Sequence, residues 1–159
     1  MAQKIIGIAD LAVGKEDDVL VTYALGSCVG VSLWDAEKKQ GGLVHIMLPS
    51  SRENSNPSDN FRKFADTGIQ ELIQSLGLIG SPKPKLVAKI AGGAKMFATN
   101  NSLFNIGERN VEQVKRYLQL MRIPLKGSDT GLDYGRTVFF HVDTGILEVK
   151  ATSKKNLLL

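Results

Sequence analysis

Thr22-Tyr23-Ala24-Leu25-Gly26-Ser27-Cys28-Val29-Gly30-Val31 sets a strand, a reversal and a second strand side by side. The apolar runs Val19-Leu20-Val21 and Val29-Gly30-Val31 flank a Gly-Ser turn, and their β-branched residues favour extended backbone. The single cysteine of the chain, Cys28, sits just after that turn. A change of chain direction opens the surroundings of a side chain, which suits a reacting thiol. The next strand-like run, Gly42-Leu43-Val44-His45-Ile46-Met47-Leu48-Pro49, carries one of the two histidines. A lone Cys and a His on separate strands form the pattern of a thiol nucleophile with its general base. Against this stands the plainer reading, in which a free Cys in an apolar strand is a small buried hydrophobe.

Working outward, the bulk composition limits the function classes. The chain has 159 residues, 43% hydrophobic and 23% charged, which fits one domain over residues 1–159 with a substantial core. Its formal net charge is +4 and its pI about 9.2, with the basic residues spread along the chain. A nucleic-acid footprint needs a concentrated basic face, so that partner class is set aside, while an acidic protein partner stays compatible. One cysteine forms no internal disulfide, which favours a reducing compartment. The opening apolar run is too short for a secretory signal or a membrane span, so the reading is cytoplasmic without membrane insertion. One Cys and two distant His lack metal-ligand spacing, and no metal or other cofactor is expected. Gly92-Gly93 is followed by no G-K-[ST], so a phosphate loop is rejected too.

In chain order, Ile5 to Val13 reads as a first strand closed at Gly14. Strands follow at Val19–Leu25 and Val29–Trp34, then the His45 strand, apolar enough for both its faces to be covered. Ser50 to Pro57 is a polar loop, either a lid over the site or a solvated connection. Ser58 or Asp59 can cap a helix with an apolar stripe from Phe61 to Leu76, ended by Gly77. Leu86–Ala91 is a strand. Asn105 and Glu108 have capping-box spacing before a helix carrying Val111, Val114, Leu118 and Met121 on one side. Leu125–Asp129 reads as a short strand, Arg136–Val142 and Gly145–Lys150 as a hairpin, and the tail from Ser153 as frayed. These elements predict an α+β layered sandwich of mainly antiparallel sheet with two principal amphipathic helices.

Hairpin arithmetic supports the Cys–His pairing only in part. A turn centred near Lys38-Lys39 sets His45 opposite Ser32, which puts His45 and Cys28 on one face but about 13 Å apart at strand rise. A bulge near Gly30 or Gly41-Gly42, or a different pairing, has to close that distance.

Four segments in this order carry a family resemblance: Leu25-Gly26-Ser27-Cys28-Val29, His45-Ile46-Met47-Leu48-Pro49, Lys89-Ile90-Ala91-Gly92-Gly93-Ala94-Lys95-Met96-Phe97 and Asn105-Ile106-Gly107-Glu108-Arg109-Asn110. The chain resembles CheD, the chemoreceptor glutamine deamidase family, from about Ile5 to about Val149. The resemblance implies the same α+β class and a cytoplasmic enzyme of chemotaxis. Such an enzyme converts receptor glutamines to glutamate through a Cys28 thioester, with His45 as base. It assigns the orientation of the imidazole to Thr22, through its hydroxyl or its backbone carbonyl. Backbone N–H groups at Gly26 and Ser27 are candidates for an oxyanion or substrate site. Implied partners are the cytoplasmic domains of methyl-accepting chemoreceptors and a CheC-type chemotaxis phosphatase, with Phe97 either a docking anchor or a core plug. After Asp129-Thr130-Gly131 the family usually has a second glycine, where this chain has Leu132. Two alternatives stay open: a non-catalytic module that docks the phosphatase, and another cysteine hydrolase with His141 as base.

Overall fold

The first four strands of this chain alternate between two sheets, the next three stay in the second sheet and the last three complete the first. The computed structural model describes residues 2–54, 60–96 and 105–159. Among these the strands are β1 (Gln3–Ile6), β2 (Leu11–Lys15), β3 (Val19–Leu25), β4 (Val29–Asp35), β5 (Gln40–Ile46), β6 (Leu86–Gly92), β7 (Leu125–Thr130), β8 (Arg136–His141), β9 (Ile146–Lys150) and β10 (Leu157–Leu158). The helices are α1 (Ser51–Asn54), α2 (Ala65–Leu78) and α3 (Ile106–Leu120).

The first sheet has the order β1-β3-β8-β9-β10 and the second β2-β5-β4-β6-β7. Pairing is mainly antiparallel, the exceptions being β1 with β3 and β6 with β7. Two apolar cores hold three layers together. Ile6, Leu20, Leu43, Val138 and Phe140 fill the space between the sheets. Val31, Val44 and Ile90, on the other face of the second sheet, pack against Ile69, Leu72, Val114 and Leu118 of α2 and α3. Burying each such side chain stabilises the fold by roughly 1.5–3 kcal/mol. The expected α+β sandwich is therefore present, and β5 is covered on both faces.

Four local expectations are corrected. The apolar run from Ile5 to Val13 is two strands in different sheets, because the chain turns at Gly7-Ile8-Ala9, where Ala9 has φ +59° and Ile8 is exposed. Gly14 lies within β2. The first long helix starts at Ala65, since Phe64 is extended and bridges to Leu48, and it runs one residue beyond Gly77. The proposed caps Ser58 and Asp59 lie outside the described residues. The tail is not frayed: β10 pairs with β9, and Leu159 packs against the inter-sheet core.

The β4–β5 register differs from the hairpin arithmetic for an identifiable reason. The Asp35 carboxylate accepts the N–H groups of Glu37 and Lys38, at 3.0 and 3.2 Å, and so fixes a turn over residues 36–39. Asp35 then pairs with Gln40 and Gly30 with His45. The turn sits one residue earlier than expected, which moves every pairing by two and preserves the face.

Candidate active site

Alternation along β5 sends Val44 and Ile46 toward the helices and Leu43 and His45 toward the first sheet. Along β4, Val29, Val31 and Leu33 face the helices, so Gly30 and, just before the strand, Cys28 face the first sheet as well. With Gly30 opposite His45, Cys28 is the diagonal neighbour of His45, a separation of roughly 7–8 Å between backbones that long side chains span. No bulge in β4 or β5 is needed to bring the two together.

Thr22 reaches the same place from the other sheet. It is fully buried on β3, and its Oγ1 lies 2.7 Å from His45 Nδ1. The same hydroxyl donates to the Ile6 carbonyl at 2.8 Å, across the parallel β1–β3 pair. A hydroxyl has one hydrogen to give, so Thr22 must accept from His45, and Nδ1 carries the ring proton. Nε2 is left as a bare acceptor, buried and without a hydrogen-bond partner among the described residues. Of the two options for Thr22, the hydroxyl makes the contact. Ile6, which the sequence does not single out, is what fixes the direction of that hydroxyl.

Burial lowers the His45 pKa to about 4 and raises that of the Cys28 thiol. Both causes are desolvation, which disfavours imidazolium and thiolate alike. At neutral pH this burial keeps the imidazole neutral, on the strand face that Cys28 also occupies.

The turn that carries Cys28 crosses from the first sheet to the second. A register shift between Thr22 and Leu25, with Ala24 at φ +60°, bulges β3 against β8 before the pairing resumes at Leu25 with Arg136. Gly26 donates its N–H to Ala24 O at 3.0 Å, so that group is already engaged, while the Gly26 carbonyl accepts from Ala94. Ser27 offers its carbonyl to Asn110 Nδ2 at 2.9 Å, and the same amide donates to Met47 O at 3.0 Å. Gly93 N–H bonds the Cys28 carbonyl at 2.8 Å. Gly92, at φ +114°, allows this approach: a Cβ there would lie 2.2 Å from Cys28 O. The Gly92-Gly93-Ala94 segment is thus a backbone clamp on the cysteine turn. Asn110 was legible as one polar residue on the Val114–Leu118 stripe of α3, although nothing in the sequence showed what it holds.

Other expectations fall elsewhere. His141 lies on the face of β8 opposite to Val138 and Phe140, and its Nε2 is 3.2 Å from Glu148 Oε1, so it does not meet Cys28. Phe97 lies outside the described residues. Of the polar stretch after the His45 strand, residues 50–54 are described, and there Ser51 bonds the Asp66 carboxylate and Glu53 pairs with Arg109 of α3. Asn105 and Glu108 bond each other through their side chains, and Asn105 makes no side-chain cap on the helix backbone. Leu132, in the place of the usual glycine, has φ +61°. A cleft of about 500 Å³ lies on the far side of the clamp, lined by Gly93, Lys95, Glu108, Val111 and Leu132, and neither Cys28 nor His45 lines it.

Comparison with known proteins matches residues 47–151 to the family model described as CheD chemotactic sensory transduction. The chain belongs to the CheD family. The match to the CheD model begins just beyond His45, but full-length relatives extend across the cysteine turn. A probable chemoreceptor glutamine deamidase CheD of Lachnoclostridium phytofermentans is 49% identical over 151 residues, covering 94% of this chain and 93% of the relative. The chemoreceptor glutamine deamidase CheD of Bacillus licheniformis is 40% identical over 94% of this chain and 90% of its own. A probable chemoreceptor glutamine deamidase CheD of Methanococcus vannielii is 41% identical, covering 96% of this chain and 97% of the relative.

Proposed function

We propose that this chain is a chemoreceptor glutamine deamidase in which Cys28, His45 and Thr22 carry the reaction. The observation that supports it most directly is the Thr22–His45 contact, which leaves Nε2 bare on the strand face it shares with Cys28. Membership of the CheD family supplies the substrate class. Residues 1–159 act as one catalytic domain.

Amides hydrolyse slowly because the carbonyl is a poor electrophile and ammonia a poor leaving group. In our reading Nε2 takes the Cys28 proton as Sγ attacks the glutamine Cδ, and the carbonyl electron pair moves to oxygen. When that pair returns, the C–N bond breaks and the imidazolium gives its proton to the departing nitrogen, releasing ammonia. Water, deprotonated by His45, then attacks the thioester; the C–S bond breaks, the thiol is regenerated and glutamate is left. General acid–base assistance of this kind is worth roughly 10²–10⁴-fold. The neutral His45 side chain at pH 7 fits the first step, in which it must accept a proton.

Mass spectrometry of receptor cytoplasmic segments incubated with the protein tests this. Conversion of an amide to an acid adds about 1 Da at particular glutamines. Folded Cys28→Ala is expected to produce no such product, and wild-type-like turnover by that variant sinks the assignment. Backbone cleavage in place of the mass gain identifies a protease. On the family resemblance we read a CheC-type phosphatase as a further partner, with Phe97 as a docking anchor. Phe97→Ala should then weaken phosphatase binding by about 2 kcal/mol or more with unchanged melting; lowered melting returns Phe97 to the core.

A further inference from the structure

The Asn110 side chain is fully buried at the start of α3, on the stripe whose later members are Val114 and Leu118. Its Nδ2 donates to two carbonyls, Ser27 O and Met47 O, which lie just past the last β4–β5 pair, Val29 with Ile46: Met47 one residue after Ile46 and Ser27 two residues before Val29. Two carbonyls on one side of the amide fix its orientation, because the flipped amide would set oxygen against oxygen. The same geometry leaves Oδ1 buried without a partner among the described residues. An apolar side chain would fill this position without that penalty, so the burial of an amide here calls for another reason.

The peptide bond supplies one. Ser27 C=O and Cys28 N–H belong to a single planar trans unit, so they point in opposite directions. Asn110 holds the carbonyl toward α3, on the helix-covered face of the second sheet. The Cys28 N–H is therefore turned away from α3, toward the side where Cys28 packs and where Thr22 meets His45. The following peptide is held too, by Gly93 N–H on Cys28 O.

We propose that Asn110 is a positioning residue for the oxyanion site: by gripping Ser27 O it aims the Cys28 N–H at the oxygen that gains charge when the thiol attacks. This rests on the thioester reading above. As the C–S bond forms, the carbonyl π pair moves to oxygen and accepts the Cys28 N–H; when the C–N bond breaks, the pair returns. The second bond, to Met47 O, ties the cysteine turn to the end of the His45 strand, so nucleophile, base and oxyanion donor share one fastening.

Asn110→Leu keeps the volume and removes both donors. In the full chain its kcat for a receptor segment should fall at least about tenfold, up to the roughly 10²–10³ seen when an oxyanion donor is removed outright, with KM changed less than about threefold. Its melting temperature should fall only modestly, because the two lost hydrogen bonds are offset in part by apolar burial and by removal of the unpaired oxygen. Alkylation of Cys28 by iodoacetamide should keep the wild-type rate, because displacement of iodide creates no oxyanion. Unchanged kcat in the folded variant overturns the proposal, and so does a parallel fall of alkylation and deamidation, which would show Asn110 serving the thiol alone. If Asn110→Leu does not fold, the unaltered protein gives the answer. A peptide bearing a side-chain aldehyde in place of the amide should form a hemithioacetal and move the Cys28 amide proton downfield in NMR. An unmoved resonance in the formed adduct overturns the proposal. Deamidation that survives complete alkylation of Cys28 defeats the thioester reading and this proposal with it, and is thereby distinguished from failure at Asn110 alone.

Discussion

At Thr22 one hydroxyl hydrogen, given to Ile6 O, decides the tautomer of an imidazole on another sheet. Thr22→Val keeps the β-branched shape and removes the acceptor, leaving His45 Nδ1–H buried and unpaired at a cost of about 1–3 kcal/mol. We expect melting to fall accordingly and turnover to drop, though by less than in His45→Ala, because orientation is lost and the base is not. Normal turnover in Thr22→Val would move the orienting role to another group. Leu132 makes a separate residue-scale case. It is exposed and held at φ +61°, where a Cβ crowds the following carbonyl at roughly 1–2 kcal/mol. Leu132→Gly relieves that strain, less the extra freedom glycine brings to the unfolded chain. The net expectation is stabilisation by about 1 kcal/mol, a rise of roughly 2–4 °C in melting temperature. A lowered melting temperature refutes the strain.

Among the elements, the end of β6 matters most to the site because it grips the cysteine turn through backbone alone. Gly92→Ala puts a methyl 2.2 Å from Cys28 O in a conformation that L-residues rarely adopt. We expect a loss of about 2 kcal/mol or more of stability together with a clear loss of turnover, since the clamp and the turn must part. Gly77 is the useful contrast. It lies in the last turn of α2 with no atom within 4 Å of an added Cβ. Gly77→Ala should stabilise by about 0.5–1 kcal/mol and leave turnover unchanged. Melting curves and deamidation rates on the two variants check both statements; equal effects would show that the clamp has no special place in the site.

For the whole molecule, the two sheets and the helix layer together remove His45 from water. Its folded pKa, about 4, lies below the unfolded value near 6.5. Below pH 6.5 the unfolded chain binds a proton that the folded chain refuses, so stability falls as pH drops from about 6.5 toward 4 and levels off below the folded pKa. The loss from this one group is on the order of 3 kcal/mol. His45→Asn keeps a donor toward Thr22 and does not titrate. Denaturant melts at pH 7 and pH 4 should therefore show wild type losing more stability than His45→Asn, by up to that amount. Equal losses would mean that His45 is not desolvated. The same burial predicts that the acid limb of kcat/KM lies well below pH 6 and that Cys28 alkylation rises toward alkaline pH, with no plateau near neutrality.

The sequence by itself determined the elements that depend on near neighbours in the chain. β-Branched runs gave β3 and β4, helical spacing gave the buried face of α3, and the Gly-Ser turn beside a lone thiol pointed to Cys28. The resemblance carried by four short segments named the family and the three residues. What local patterns cannot hold is which strand lies beside which. The split of the first apolar run between two sheets, the pairing of β10 and the Asp35 turn that sets Gly30 against His45 all depend on long-range partners. Tertiary structure alone delivered Ile6 to Thr22, Gly93 to Cys28 and Asn110 to Ser27, contacts between segments 16, 65 and 83 residues apart. It also set the His45 pKa, because desolvation is a property of everything packed around a side chain and not of its place in the chain.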